Sequence, residues 1–187
     1  DVNIAFANEI SLVCEDFNIN PYCLIDLANY HPRVNILKPG CGVGGHCIAV
    51  DPWFIASQLP NSTNLIQSAR KVNDNKPNWI ISKVKEVSSK LEIELGRKPI
   101  IGCLGLAFKP DVEDLRESPA LYITLSLIES GLNIIACEPN LNDHKSISLV
   151  SLDDIIVESD LLVCLVAHSS FFDKDFKNKR ILNFCGL

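Results

Sequence analysis

The chain has 187 residues, 47% hydrophobic and 21% charged, a balance suited to a folded globular core and contrary to disorder. Its formal net charge of −6 and the lack of a visible basic stripe exclude a protein built to hold nucleic acid. Polar or charged residues interrupt every apolar run before the roughly 18 residues that a membrane-spanning helix needs. The length allows one large domain, or a compact one with an appended segment.

The chain opens on Asp1 inside a helix-like pattern and contains no methionine, which reads as a piece of a longer protein with no signal peptide in view. Apolar residues at Ile4, Ala7, Ile10, Leu12, Val13 and Phe17 predict a helix over 3–17. Asn20-Pro21 predicts a turn and then a short helix through Asn29. Residues 30–50 lose periodicity, gain Gly and Pro, and read as a loop. Asp51-Pro52 reads as the cap and first residue of another helix, and 63–94 is helical in pattern, with Pro77 either kinking that helix or opening a second one.

The character changes near residue 97. Strands are predicted over 99–105, 132–137, 161–166 and 180–184, with helices over 118–130 and 152–158. Continuous apolar strands alternating with helices indicate a parallel sheet buried on both faces. The expected architecture is α/β, with a helical region at 1–96 followed by a Rossmann-like region at 97–187.

Eight cysteines, at 14, 23, 41, 47, 103, 137, 164 and 185, show neither a C-x-x-C pair nor zinc spacing, so no metal site is expected. Cys103, Cys137 and Cys164 sit in apolar strand-like runs, where a free thiol behaves as a small hydrophobe, and the setting implied is a reducing cytoplasm.

Two stretches could carry chemistry. In K-P-G-C-G-V-G-G-H-C-I-A-V-D-P-W (38–53), four of the nine glycines fall within residues 40–45. Glycine serves where φ must be positive or a ligand must approach the backbone. Cys47 ends this loop just ahead of a helix start, a place that favours the thiolate, so it reads either as a nucleophile or as a small residue in a tight loop. Asp51 reads either as a plain cap or as a general base one turn from the thiol. In G-C-L-G-L-A-F-K-P-D-V-E-D-L-R-E-S-P (102–119), a strand enters a loop and a helix begins at Ser118-Pro119. Lys109 and Arg116 would make this an anion site; the alternative is an ordinary solvated loop. Arg33 is either a surface charge or a ligand clamp, and His31, His144 and His168 read as surface or capping residues.

Taken together, G-V-G-G-H-C-I-A-V-D-P-W-F resembles the catalytic-cysteine loop of the UDP-sugar 6-dehydrogenases, and G-L-A-F-K-P-D-V-E-D-L-R-E-S-P their UDP-binding loop. N-I-A-F-A-N-E and A-N-x-H-P-R-V-N resemble the family's central dimerisation helices and the following turn. His46 and the A-V-D-P-W-F continuation look most like the branch that oxidises UDP-N-acetylmannosamine; UDP-glucose enzymes typically carry Ser and Lys-Asp at those places. The resemblance spans essentially the whole chain and implies a central helical dimerisation region followed by a UDP-binding domain. A preceding NAD-binding domain, with the family's Lys and Asn just upstream of Asp1, would lie outside it.

The resemblance also implies the chemistry, a four-electron oxidation of the sugar C6 alcohol with two NAD+. Cys47 would be the nucleophile and Asp51 would assist water. Gly44 and Gly45 would let the sugar approach the backbone, and Phe108 and Lys109 would contact UDP. Arg116 would face the NAD side, and Arg33 would reach the sugar nucleotide of a neighbouring subunit in a homodimer. Arg180 is a weaker correspondence to a nucleotide-contacting arginine.

Overall fold

The structure is a computed structural model that describes every residue except Lys177. Helix α1 (Val2–Asp16) is followed by α2 (Pro21–Ala28), whose cap Asn20 accepts from the Tyr22 and Cys23 N–H groups ahead of Pro21 at the first helical position. The stretch to residue 50 has no regular element. Helix α3 (Asp51–Gln58) leads into α4 (Asn64–Leu95), one continuous helix of 32 residues with Pro77 inside it, ended by Gly96 in the left-handed conformation. No second helix opens at Pro77. The carbonyl of Asn73, which Pro77 cannot bond, instead faces Gly42, whose missing Cβ would lie 3.0 Å from it.

Strand β1 (Ile100–Leu104), α5 (Pro119–Glu129), β2 (Asn133–Cys137), α6 (Leu152–Glu158), β3 (Leu161–Cys164) and β4 (Arg180–Asn183) then build the α/β unit. The sheet is parallel throughout, in the order β2-β1-β3-β4, with Leu104 level with Cys137 on one side and Cys164 on the other. Alternation across the pleat divides the strand residues between two cores. Ile101, Cys103, Ile134, Ala136, Leu161 and Val163 pack with α5 and with Ile80, Ile81, Val84 and Leu91 of α4. Leu104, Cys137, Leu162 and Cys164 pack on the other face with Ile155 of α6 and Phe171. Thus α4 is both a partner of α1 and a cover for the sheet. No described helix is long and apolar enough to cross a membrane.

All eight cysteines are free; Cys14, Cys41, Cys103, Cys137 and Cys164 are buried, whereas Cys23 and Cys47 are exposed. Among the described residues, no group of three or more His, Cys, Asp or Glu side chains could hold a metal ion.

Candidate active site

The chain leaves β1 to form β2 on one side and then crosses to β3 on the other, so the sheet reverses its winding between β1 and β3. In an open α/β sheet, the carboxyl ends of the strands at such a reversal flank the ligand crevice. A cleft of about 370 Å³ lies there, lined by Ala107, Phe108 and Lys109 after β1, and by Leu165, Val166 and Ala167 after β3. Lys38, Cys41 and Gly42 of the glycine loop close one side, and Pro119 at the start of α5 another. Ser118 caps α5, accepting from the Leu121 N–H and donating its own hydroxyl to the Leu106 carbonyl. Two lysines beside a helix N-terminus suit an anion, and the apolar wall of Phe108, Val166 and Phe172 suits a flat ring. Lys109 stands over the Phe108 ring, 5.5 Å from its centroid.

Cys47 and Asp51 share a second cavity, of about 520 Å³, with Ile48, Pro52, Ile55 and Ile66. Both side chains are exposed. The predicted capping role of Asp51 is not what the structure contains. Val50 occupies the cap position in a helical conformation, and Asp51 is the first residue of α3. Its carboxylate bonds no backbone N–H of that helix: the turn beginning at Cys47 already directs those groups, with Val50 and Asp51 both donating to the Cys47 carbonyl. Asp51 is therefore spared structural duty, one helical turn from the thiol.

The two loops are laid side by side. Gly45 donates to the Arg116 carbonyl at 3.1 Å, and Phe108 to that of Asp114 at 3.1 Å. Gly44 and Gly45 do not line the cleft; they pack against Phe108. A Cβ on Gly44 would come within 2.7 Å of both the Phe108 Cβ and the Glu117 carbonyl oxygen. Gly45 has φ of +79° besides. These glycines set how near the cysteine loop comes to the Phe108–Lys109 loop.

Arg116 is not in the cleft with Lys109. It forks onto Asp114, with Nη2 2.6 Å from Oδ2 and Nε 3.0 Å from each oxygen. Bonds from Arg116 hold the Asp114 carboxyl down at about 2, with a smaller contribution from His46. The guanidinium is in turn held protonated chiefly by Asp114, with a smaller contribution from Cys47. Arg33 is exposed after α2 and forms no ion pair with a described residue. Arg180 opens β4 level with Leu161, at the amino ends of the strands and so away from the cleft, bonded to Glu94 at 2.7 Å.

Sequence reading missed three residues here. Lys38 lines the cleft, although only the run in which it stands drew attention. His168, read as a surface or capping residue, is completely buried and bonded to buried Glu138. Their signal was an acidic residue and a histidine just past the apolar runs of β2 and β3. His31 and His144 do accept from nearby backbone N–H groups in turns.

A cleft at the carboxyl ends of a parallel sheet is thus joined by a short glycine-rich loop to an exposed thiol. Two models of one family, the UDP-glucose/GDP-mannose dehydrogenases, match the chain: the central domain over residues 1–75 and the UDP binding domain over 102–183. The chain belongs to that family and comprises those two parts. It is 51% identical over 193 aligned residues to a UDP-N-acetyl-D-mannosamine dehydrogenase of Campylobacter jejuni, a match covering 99% of this chain and 46% of the relative. It is 42% identical to an NDP-N-acetyl-D-galactosaminuronic acid dehydrogenase of Ralstonia solanacearum, covering 97% of this chain and 44% of that protein. Among solved structures it superposes on a UDP-N-acetyl-mannosamine dehydrogenase of S. aureus with a TM-score of 0.84 at 34% identity, over 99% of this chain and 44% of that one. The chain thus spans under half the length of the relatives it matches.

Proposed function

We propose that this chain is the central and UDP-binding part of an NAD-dependent UDP-N-acetyl-D-mannosamine 6-dehydrogenase, working as a homodimer in the cytoplasm. The observation that carries the reading is the placement of the exposed Cys47 thiol and the free Asp51 carboxylate one helical turn apart in one cavity. The names of the relatives favour an N-acetylated sugar over glucose.

UDP would enter the cleft with its phosphates toward Lys38, Lys109 and the start of α5 and its base against Phe108. The glycine loop would then carry the sugar toward Cys47. The fit to NAD is limited to one face of this chain. The Leu106 and Ala107 N–H groups at the end of β1, a usual place for a dinucleotide phosphate, are already taken by the Glu138 carboxylate. Arg116, exposed in the loop whose backbone bonds Gly45, would be the residue to meet the cofactor. When bound, NAD+ supplies the acceptor for the hydride lost from C6 in each oxidation.

The remaining chemistry falls to Cys47 and Asp51. Loss of a hydride and a proton from the C6 alcohol leaves an aldehyde, to which the Cys47 thiolate adds, giving a thiohemiacetal. Loss of a second hydride from its alkoxide form gives a thioester. Asp51 takes a proton from the attacking water, the C–S bond breaks to release thiolate, and the acid formed gives its remaining proton to solvent.

A stripe of exposed apolar residues supports the dimer: Val2, Phe6, Val13 and Phe17 lie within about 60° of one another around α1. Arg33, lacking a described ionic partner, is available to a neighbouring subunit. A division at residues 96/97 into helical and α/β regions belongs to the same reading.

The test is turnover by a polypeptide that joins this chain to an NAD-binding domain, offered UDP-N-acetylmannosamine, its N-acetylglucosamine and N-acetylgalactosamine counterparts, and UDP-glucose. Preferred production of the mannosaminuronate with two NADH per sugar supports the proposal. Preference for another sugar reassigns the substrate. UDP-sugar binding without NADH formation supports the alternative, a dimerising binding fragment.

A further inference from the structure

Glu138 follows the last residue of β2, and His168 stands four residues past the end of β3. Because β1 pairs with both strands, the two residues converge above its carboxyl end, beneath the 105–111 loop. Neither side chain has any exposed surface. A single carboxylate oxygen of Glu138, Oε2, accepts from the Leu106 N–H at 2.7 Å and the Ala107 N–H at 3.0 Å, and contacts His168 Nε2 at 3.1 Å. His168 Nδ1 accepts from the Asp111 N–H at 3.0 Å, which puts the imidazole proton on Nε2 and makes that nitrogen the donor to Glu138. The other Glu138 oxygen accepts from Asn140. The loop is closed further by Asp111, which has φ of +59° and accepts from the Ser169 N–H and hydroxyl.

The loop is thereby clamped at 106–107 and again at 111, and the residues left between, Phe108, Lys109 and Pro110, all line the cleft. Two successive N–H groups at the end of a strand form an anion-binding concavity. Here the protein's own carboxylate fills it, so a bound phosphate has to be met by side-chain cations. We propose that Glu138 and His168 are positioning residues for nucleotide binding: the pair holds the 105–111 loop in the shape that presents Phe108 and Lys109 to the nucleotide. This inference rests on the nucleotide reading of the cleft. A satisfied buried polar network fixes one geometry, whereas removing Glu138 leaves three buried donors without an acceptor and removing His168 takes one donor from a buried carboxylate, so the loop should lose that shape when either member goes.

The experiment is calorimetric titration of this chain with UDP, using wild type, Glu138→Gln, Glu138→Ala, Lys109→Ala and the Glu138→Ala/Lys109→Ala double variant. Glu138→Gln retains an oxygen for the Leu106, Ala107 and His168 donors, gives up only the Asn140 bond, and should keep wild-type affinity within about threefold. Glu138→Ala should weaken UDP binding roughly ten- to a hundredfold, the range seen when partners that orient binding groups from behind are removed. Since it acts through Lys109, its effect should largely vanish in the Lys109→Ala background. Wild-type affinity in a folded Glu138→Ala chain, or additivity with Lys109→Ala, overturns the inference alone. Failure of the wild-type chain to bind UDP overturns the nucleotide reading and the inference together. If Glu138→Ala does not fold, His168→Asn takes its place in the same cycle. It keeps an acceptor for Asp111 and removes the Nε2 donor; reduced affinity that is non-additive with Lys109→Ala supports the inference, and unchanged or additive affinity overturns it.

Discussion

The backbone N–H of Asp51 donates to the carbonyl of Cys47 at 2.8 Å, closing one helical turn with the thiol at its start and the carboxylate at its end. Residues four apart on a turn share a face, and both side chains open into the same cavity. Cys47 is exposed, whereas five of the other cysteines are buried.

The thiols should therefore separate sharply in reactivity. Burial pushes the Cys103 thiol up to about 12, Cys137 up to about 11, and Cys41 well above its ordinary value. Brief alkylation near neutral pH should modify Cys23 and Cys47 ahead of the buried thiols, as read by peptide mass spectrometry. A UDP-sugar should protect Cys47 and leave Cys23 unchanged. Equal protection of both, or faster labelling of Cys41, would contradict the site geometry.

Lys38 and Lys109 are assigned to the phosphates, so their removal should be felt through charge. Lys38→Ala and Lys109→Ala should each weaken UDP binding by about tenfold and flatten its dependence on salt. Binding of uridine, which lacks the phosphates, should change little. An equal loss for uridine and UDP would show that the lysines shape the cleft and do not bind anion.

Gly44 is fixed by its neighbours. Gly44→Ala would press a methyl group against the Glu117 carbonyl and Phe108, neither of which is the free end of a flexible chain. The expected loss of stability is about 1–3 kcal/mol, with a lowered Tm and weaker UDP binding as Phe108 is displaced. A variant with unchanged Tm and affinity would place this contact outside the site's support.

Lys76 gives a pH test of the helical packing. It is buried, donates to Ser11 Oγ at 2.6 Å and stands 4.3 Å from the Trp79 ring centroid. Burial lowers its amine to about 8, against an ordinary value of 10.5, despite opposing effects from Cys41 and Glu15. Between about pH 8 and 10.5 the unfolded chain therefore binds more protons at this residue than the folded one, and the Lys76 contribution to stability rises with pH. Lys76→Met should gain most over wild type below pH 8, and that advantage should shrink by up to ~3 kcal/mol as pH rises through the window. Denaturant melts of both proteins across this range check it; a constant difference would contradict the lowered value.

Much of this was readable from the chain. The change near residue 97 appears because buried parallel strands are continuous apolar runs and the preceding helices are not. The Asn20-Pro21 and Ser118-Pro119 starts were legible because a cap and its proline are adjacent in sequence. Asp51-Pro52 looked the same yet differs, since the turn from Cys47 had already begun and no local signal reports it. Glu138 and His168, 30 residues apart, meet only because β1 lies between their strands, so neither position read alone reveals the pair. The role of Gly44 and Gly45 shifted for a like reason: they face Phe108, which comes from the other motif.

The central claim is covalent chemistry at Cys47 completed by Asp51, and intact-protein mass during turnover tests it most directly. In a polypeptide carrying this chain and an NAD-binding domain, Asp51→Asn supplied with NAD+ and UDP-N-acetylmannosamine should form the thioester and hydrolyse it slowly. The account predicts an accumulating UDP-sugar acyl adduct on the peptide containing Cys47, and no acid from Cys47→Ala. Acid formation by Cys47→Ala at the wild-type rate would contradict it.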